Sequence, residues 1–195
     1  MRQPYRLGLT GSIGMGKSTT AGFFRDMGVP VWDADAAVHR LYGKDGAAVG
    51  PVAALCPEAL RDAAIDRAEL KRWIARDPTA LAALESVVHP LVAQDREAFV
   101  ASLSGPLVVL DIPLLFEVGA QVDGVLVVTA PENVQRARVL ERPDVNEAQL
   151  DAILARQMPD AEKRARADFV IETTDMDSTR AAVQKLVRRL EAEHA

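Results

Sequence analysis

The sequence predicts an α/β domain built on a five-stranded parallel sheet, and three features carry that expectation. Apolar segments of strand length alternate with amphipathic helical stretches along the chain, the order that builds parallel sheets. Two segments, Leu107 to Ile112 (LVVLDI) and Val122 to Thr129 (VDGVLVVT), are nearly continuous apolar runs, as expected of strands buried on both faces. The first segment, Tyr5 to Thr10 (YRLGLT), runs into Gly11-Ser12-Ile13-Gly14-Met15-Gly16-Lys17-Ser18 and then into a helical pattern. That octapeptide fits G-x-x-x-x-G-K-[ST], and strand–loop–helix is the setting in which the motif cradles phosphates.

Each element follows from local chemistry. Ser18 to Met27 reads as a helix stopped by Gly28. Val29 to Trp32 (VPVW) reads as a short strand, peripheral because Pro30 has no ladder donor. A helix then presents Val38, Leu41 and Tyr42 on one face, and Gly43 to Pro51 is expected to be a loop. Residues 52 to 103 look wholly helical. Within them Asp66 and Glu69 form a capping box, Asp77-Pro78 starts a further helix, and His89-Pro90 breaks it. After the strand at 107–112 and the one at 122–129, Pro131 opens a helix that ends before Pro143. Asn146 and Gln149 cap the next helix; Phe169 to Ile171 is the last strand; Ser178 to Glu193 is the last helix. The helical stretch of roughly 50 residues between the second and third strands exceeds an ordinary crossover and implies a substrate-holding insertion.

The glycines of the octapeptide allow successive backbone N–H groups to turn toward an anion. Lys17 supplies a point charge for the outer phosphates, and the Ser18 hydroxyl suits a magnesium ion. Asp33 and Asp35 follow the second strand, where open parallel sheets bind ligands. Asp33 can take or orient the proton of an attacking hydroxyl, or cap the following helix; capping is the plainer reading for Asp35. Asp111 ends an apolar strand, a pattern that holds Mg²⁺ through water or else ties down the phosphate loop itself. Glu117 either faces the same cleft or is solvated. Arginines are frequent between Arg136 and Arg166, and a mobile helical lid uses such charges to neutralise a transferring phosphoryl group. Most of them are read as a solvated face; Arg142, at the break before Pro143, is the exception.

Net charge is −5, against a general nucleic-acid or membrane-surface binder. No apolar run approaches the roughly 20 residues that span a bilayer. Met1 to Thr10 lacks the pattern of a secretory signal, and Cys56 is the single cysteine, so a reducing, cytoplasmic setting is expected. No His/Cys/Asp cluster has zinc spacing.

Several ordered segments resemble the dephospho-coenzyme A kinase family: GLTGSIGMGKST (8–19), VWDAD (31–35), IDRAELKRWI (65–74), LESVVHPL (84–91), LDIPLLFE (110–117), VLVVTAP (125–131), RVLERPDV (138–145) and ARQMPDAEKRARADFVI (155–171). The resemblance implies ATP-dependent phosphorylation of the ribose 3′-hydroxyl of dephospho-coenzyme A, with Mg²⁺. It implies a phosphate-loop NTPase-like core (1–35, 104–141 and 167–195) with sheet order 2-3-1-4-5, a helical acceptor-side insertion (36–103) and a lid (142–166). By the same resemblance Gly14, Met15, Gly16, Lys17, Ser18 and Thr19 hold the ATP phosphates. Asp33 matches the base and Arg142 the lid arginine, while Thr10 and His89 match acceptor-side positions. The chain departs from the family's usual Gly-Gly loop opening and loop serine by carrying Ser12 and Met15. It also has Ile171-Glu172-Thr173-Thr174-Asp175-Met176 where the family often has an Ile-x-Asn-x-Gly-like segment. The alternative is another phosphate-loop kinase acting on a nucleotide, nucleoside or small metabolite. A guanine-reading switch is disfavoured, since neither Asn133 nor Asn146 precedes a lysine.

Overall fold

A computed structural model describes residues 3–143 and 145–195; Met1, Arg2 and Asp144, which falls within the expected lid, lie outside the described residues. In chain order the elements are β1 (Tyr5–Thr10), α1 (Lys17–Asp26), β2 (Val31–Asp33), α2 (Ala34–Tyr42), α3 (Val49–Leu55), β3 (Leu60–Arg61), β4 (Ala64–Ile65), α4 (Arg67–Arg76) and α5 (Ala80–Ala101). They continue with β5 (Leu107–Asp111), α6 (Leu115–Val118), β6 (Gly124–Thr129), α7 (Glu132–Leu140), α8 (Glu147–Leu154), α9 (Asp160–Ala165), β7 (Phe169–Glu172) and α10 (Met176–His194). The chain divides into two compact units, Met1–Trp32 with Leu103–Ala195, and Asp33–Ser102.

The first unit carries a five-stranded sheet in the order β2-β5-β1-β6-β7, the expected 2-3-1-4-5 counted along this sheet. β1 pairs in parallel with β5 and with β6, and β6 with β7. Strand alternation assigns the two faces. Leu7, Leu9, Leu107, Val109, Leu126, Val128 and Ile171 pack with Phe23 and Phe24 of α1 and with Val183, Leu186, Val187 and Leu190 of α10. On the other face Gly8 leaves room for α6: a Cβ there would come within 2.4 Å of Leu115. All five residues of β5 are buried, which explains its unbroken apolar run. Gly28, at φ 78°, ends α1 as expected, with its N–H on the Arg25 carbonyl.

The second unit has its own core of Leu41, Tyr42, Val52, Cys56, Ile65, Leu70, Leu84 and Val88. Here the local expectations need five corrections. The stretch read as wholly helical contains a small antiparallel ribbon, with Leu60 opposite Ile65 and Arg61 opposite Ala64. Its turn places Asp62 and Ala63 at φ 48° and 61°, the geometry that Asn-Gly would advertise and Asp-Ala does not. His89-Pro90 does not break the chain: α5 is one helix with Pro90 inside it and His89 exposed on its surface. Proline forfeits one helical hydrogen bond, and the burial of Leu84, Val88, Leu91 and Val92 against the unit's core outweighs that loss. That helix also begins at Ala80 rather than at Asp77, whose carboxylate instead takes the backbone N–H and hydroxyl of Thr79 at 2.8 and 2.7 Å. The expected loop at 43–51 is shorter, because α3 already starts at Val49 and buries Val52. The box at Asp66 is half formed. Asp66 accepts from Ala68 and Glu69, but the Glu69 carboxylate turns to Arg61 and Arg72 at 2.9 Å instead of returning to the cap. Those backbone donors hold the Asp66 carboxyl below its ordinary range. The full box at Asn146 and Gln149 is present as read. Among the described residues no helix is long and apolar enough to cross a membrane.

Phe24 is the largest fully buried side chain and joins α1 to the sheet. Phe24→Ala is expected to lower unfolding free energy by about 3–5 kcal/mol, read as a shift of the urea midpoint at unchanged slope.

Candidate nucleotide-phosphate site

The loop between β1 and α1 adopts the shape its glycines permit. Gly14 and Gly16 stand at φ 78° and 80°, a region costly for other residues. Gly16 also precedes α1 with no side-chain cap, so the first-turn N–H groups and the helix dipole are left to an anion. Side chains at either glycine would collide with the surroundings. A Cβ on Gly14 would meet Val139 at 2.6 Å, and one on Gly16 would meet the Thr173 hydroxyl at 2.8 Å.

A loop that turns its N–H groups toward a ligand must be held by its remaining polar groups, and this one is braced from four elements. Gln135 of α7, itself buried, donates to the Ile13 carbonyl at 2.7 Å. The Thr173 hydroxyl, just past β7, donates to the Met15 carbonyl at 2.9 Å, while Arg138 donates to that same hydroxyl at 3.1 Å. Gln157, between α8 and α9, accepts from Ile13 N–H at 3.3 Å. Lys163 of α9, fully buried, donates from Nζ to the Ser12 hydroxyl at 3.2 Å. The two unusual loop residues thus have partners: Ser12 meets Lys163, and Met15 is buried with its sulfur accepting from Ala130 N–H at 3.0 Å. The Met15 side chain is core, and its backbone is engaged as well: its N–H donates to the Ser12 carbonyl at 3.1 Å and its carbonyl accepts from Thr173, so Met15, expected among the phosphate-binding residues, shapes the loop instead.

Lys17 Nζ lies 2.6 Å from Asp111 Oδ1, with the Asp111 side chain 4% exposed. The aspartate that ends β5 therefore holds the loop lysine. The short contact orients Lys17 against that carboxylate. Ser18 and Thr19 are exposed at the start of α1. Thr10, expected on the acceptor side, is fully buried and donates to the Pro113 carbonyl at 3.0 Å, so here it anchors the turn after β5. Glu117 is exposed, and its Oε1 accepts from Met158 N–H at 3.1 Å, which ties α6 to the segment before α9. Arg142 is exposed in the turn that follows α7.

In the second unit the capping assignment changes hands. The last residue of β2 is Asp33, not Trp32, and Asp33 is the cap of α2, with its Oδ1 accepting from Ala36 N–H at 2.9 Å. Asp35, read as the cap, sits inside the first turn. The helix follows the strand without an intervening residue, so the carboxylate that ends β2 is also the cap.

A cavity of about 580 Å³ lies beside the loop, lined by Ser12, Met15, Thr129, Pro131, Gln157 and Asp160. A larger open depression of about 980 Å³ borders Tyr5, Arg6, Asp123 and His194, at the amino ends of β1 and β6. Parallel sheets bind ligands at the carboxyl ends of their strands, so the smaller cavity is the one that belongs with the phosphate loop. Gln135, Gln157, Lys163 and Thr173 were not legible as loop braces, since an isolated glutamine, lysine or threonine reads as surface. Only the positions of Gln157 and Lys163 within ARQMPDAEKRARADFVI gave any signal.

The family model described as dephospho-CoA kinase matches residues 5–178. A dephospho-CoA kinase of Cereibacter sphaeroides is 62% identical over 190 residues, 96% of this chain and 96% of that protein. Among solved structures, TT1252 from Thermus thermophilus superposes with a TM-score of 0.85 at 38% identity, covering 96% of this chain and 98% of its own. A dephospho-CoA kinase from Campylobacter jejuni shares the fold at 21% identity, with a TM-score of 0.69 over 97% of this chain and 98% of its own.

Thr173→Val keeps the shape and removes the hydroxyl between Met15 and Arg138. It is expected to cost about 1–3 kcal/mol, because a buried carbonyl loses its donor, and to lower the melting temperature in calorimetry.

Proposed function

The chain belongs to the dephospho-CoA kinase family, and we infer that it phosphorylates the ribose 3′-hydroxyl of dephospho-coenzyme A with ATP, giving coenzyme A and ADP, the last step of coenzyme A synthesis. The observation that carries this reading is the braced phosphate loop, with Lys17 oriented on Asp111, inside a chain that the family model matches almost throughout.

Phosphoryl transfer asks little covalent chemistry of a protein and much positioning and charge stabilisation. The backbone N–H groups of Gly14 and of Gly16 to Thr19 take the phosphates, while that of Met15 closes the loop on Ser12, and Lys17 follows the charge of the transferring group. Asp33 serves the acceptor hydroxyl: it ends a strand at the carboxyl edge of the sheet, and its cap bond to Ala36 fixes one carboxylate oxygen. The residues 142–166 act as the lid, with Arg142 at its start and α9 rooted on the loop through Lys163. The residues 36–103 form the acceptor-side unit, and His89, exposed on α5, is assigned to it. Thr10, also assigned to the acceptor side, acts through the Pro113 carbonyl that it holds.

Among the described residues no cluster of three or more acidic, histidine or cysteine side chains is built to cage a metal. That fits Mg²⁺ entering with ATP, since this ion keeps most of its waters and takes one or two hard oxygens. The exposed Ser18 hydroxyl and the Asp111 carboxylate are such donors, and would hold it where it withdraws charge from the phosphates. The substrates are small molecules, with neither nucleic acid nor membrane as partner. The buried Cys56, whose thiol burial pushes up and keeps protonated, suits a reducing cytoplasm.

The direct test is ATP turnover with and without dephospho-coenzyme A, beside a panel of nucleotides, nucleosides and small alcohols; equal turnover on another acceptor would replace the substrate assigned here. Lys17→Ala is expected to lower turnover by about 10²-fold or more. It is also expected to lower the melting temperature, because Asp111 loses its ion pair. Arg142→Ala is expected to lower turnover more than ATP affinity, as a side chain that meets the phosphoryl group only in the closed state does. Asp33→Asn keeps the capping bond and loses the base, so turnover is expected to fall by about 10²- to 10⁴-fold at a nearly unchanged melting temperature. Asp35→Asn serves as the control; loss of transfer there, with Asp33→Asn active, would give the role to the other carboxylate.

A further inference from the structure

Lysine is almost never fully buried unless it is paired, yet Lys163 is 0% exposed and its hydrogen-bond partner is a neutral hydroxyl, Ser12 Oγ at 3.2 Å. The carboxylates that face it act only through space. Asp160, one turn earlier on α9, spends Oδ2 on the Thr129 hydroxyl at 2.9 Å and on Arg164 at 3.0 Å, while its buried Oδ1 has no hydrogen-bond partner. Glu117 is engaged by Met158 N–H. Neither forms an ion pair with Lys163, and burial pulls the Lys163 ammonium below the ordinary lysine range despite both of them. A purely structural tie at this place would be served as well by an uncharged side chain, since a buried charge without a close counter-ion costs stability. What the position offers that methionine or glutamine would not is positive charge, one hydroxyl away from a loop built to receive an anion.

We propose that Lys163 is a second cation for the bound triphosphate, presented to the phosphate loop by Ser12 and additional to Lys17. The inference rests on the reading that this loop seats ATP. It assigns nucleotide binding to a residue at the far end of the lid segment, and it gives Ser12, where the family usually has glycine, the task of holding that charge against the loop. Lys17 stands on the opposite flank, oriented by Asp111, so the triphosphate receives charge from two elements, α1 and α9, that the chain places 146 residues apart.

The test is made on the full chain with Lys163→Met and Lys163→Gln. Methionine keeps the apolar stem, and glutamine keeps a donor without the charge. Wild-type protein is first shown to gain melting temperature with ATP; if it gains none, the triphosphate reading fails and this inference with it. Given that gain, both variants are expected to fold and to melt, without ligand, at or above the wild-type temperature. Both are expected to lose ATP affinity by about tenfold to a hundredfold, seen as a raised KM for ATP and a smaller ATP-induced shift, with kcat changed less than KM. Wild-type ATP affinity in the folded variants would overturn the proposal, whether or not their unliganded melting temperature falls. So would full rescue by glutamine, which would assign the effect to the hydrogen bond alone. If Lys163→Met does not fold, Lys163→Gln decides the matter by the same affinity ratio.

Discussion

The first unit is organised around one constraint: a backbone loop that faces its N–H groups toward an anion must have its outward polar groups satisfied elsewhere. The Ile13 and Met15 carbonyls face away from such a ligand, and Gln135 and Thr173 meet them from α7 and from the end of β7. The strand order follows the same need. β1 delivers the loop from the middle of the sheet, flanked by β5 and β6. Its neighbours can therefore bring Asp111 to Lys17 on one side and Ala130 to Met15 on the other. A loop on an edge strand would have one of these supports and not both.

Electrostatics and packing are divided between the two sides of that loop. The Asp111 side chain is nearly inaccessible and holds Lys17 in a short ion pair, an arrangement that keeps a long flexible ammonium from losing orientation before ligand arrives. On the α9 side the charge is buried with a hydroxyl for a partner, which is costly in the absence of an anion and favourable in its presence. The helix packing beneath is conventional: α1 and α10 cover one face of the sheet with aromatic and aliphatic side chains, so the loop's rigidity is inherited from a close-packed layer. The second unit holds its helices on a separate apolar core, and its longest helix carries a proline that packing tolerates.

What the sequence determined by itself were the features encoded by neighbours along the chain. Hydrophobic periodicity set the strands and the helices of the first unit. Glycine, proline and capping residues set most of their ends, and the octapeptide with its strand and helix marked the candidate phosphate loop. The full capping box at Asn146 and Gln149 was readable for that reason: both partners lie within one turn. Tertiary structure decided the rest. Pro90 stays helical because its neighbours are buried, Asp62-Ala63 turns a ribbon without the residues that normally mark one, and Asp33 rather than Asp35 caps α2 because the helix begins directly after β2. The loop braces belong to the same class. Ile13 and Gln135 are 122 residues apart, Met15 and Thr173 158, and Ser12 and Lys163 151. A hydrogen bond has no signature at such a separation, because each partner is an ordinary polar residue until the fold removes the water around it and leaves the other as its only available partner.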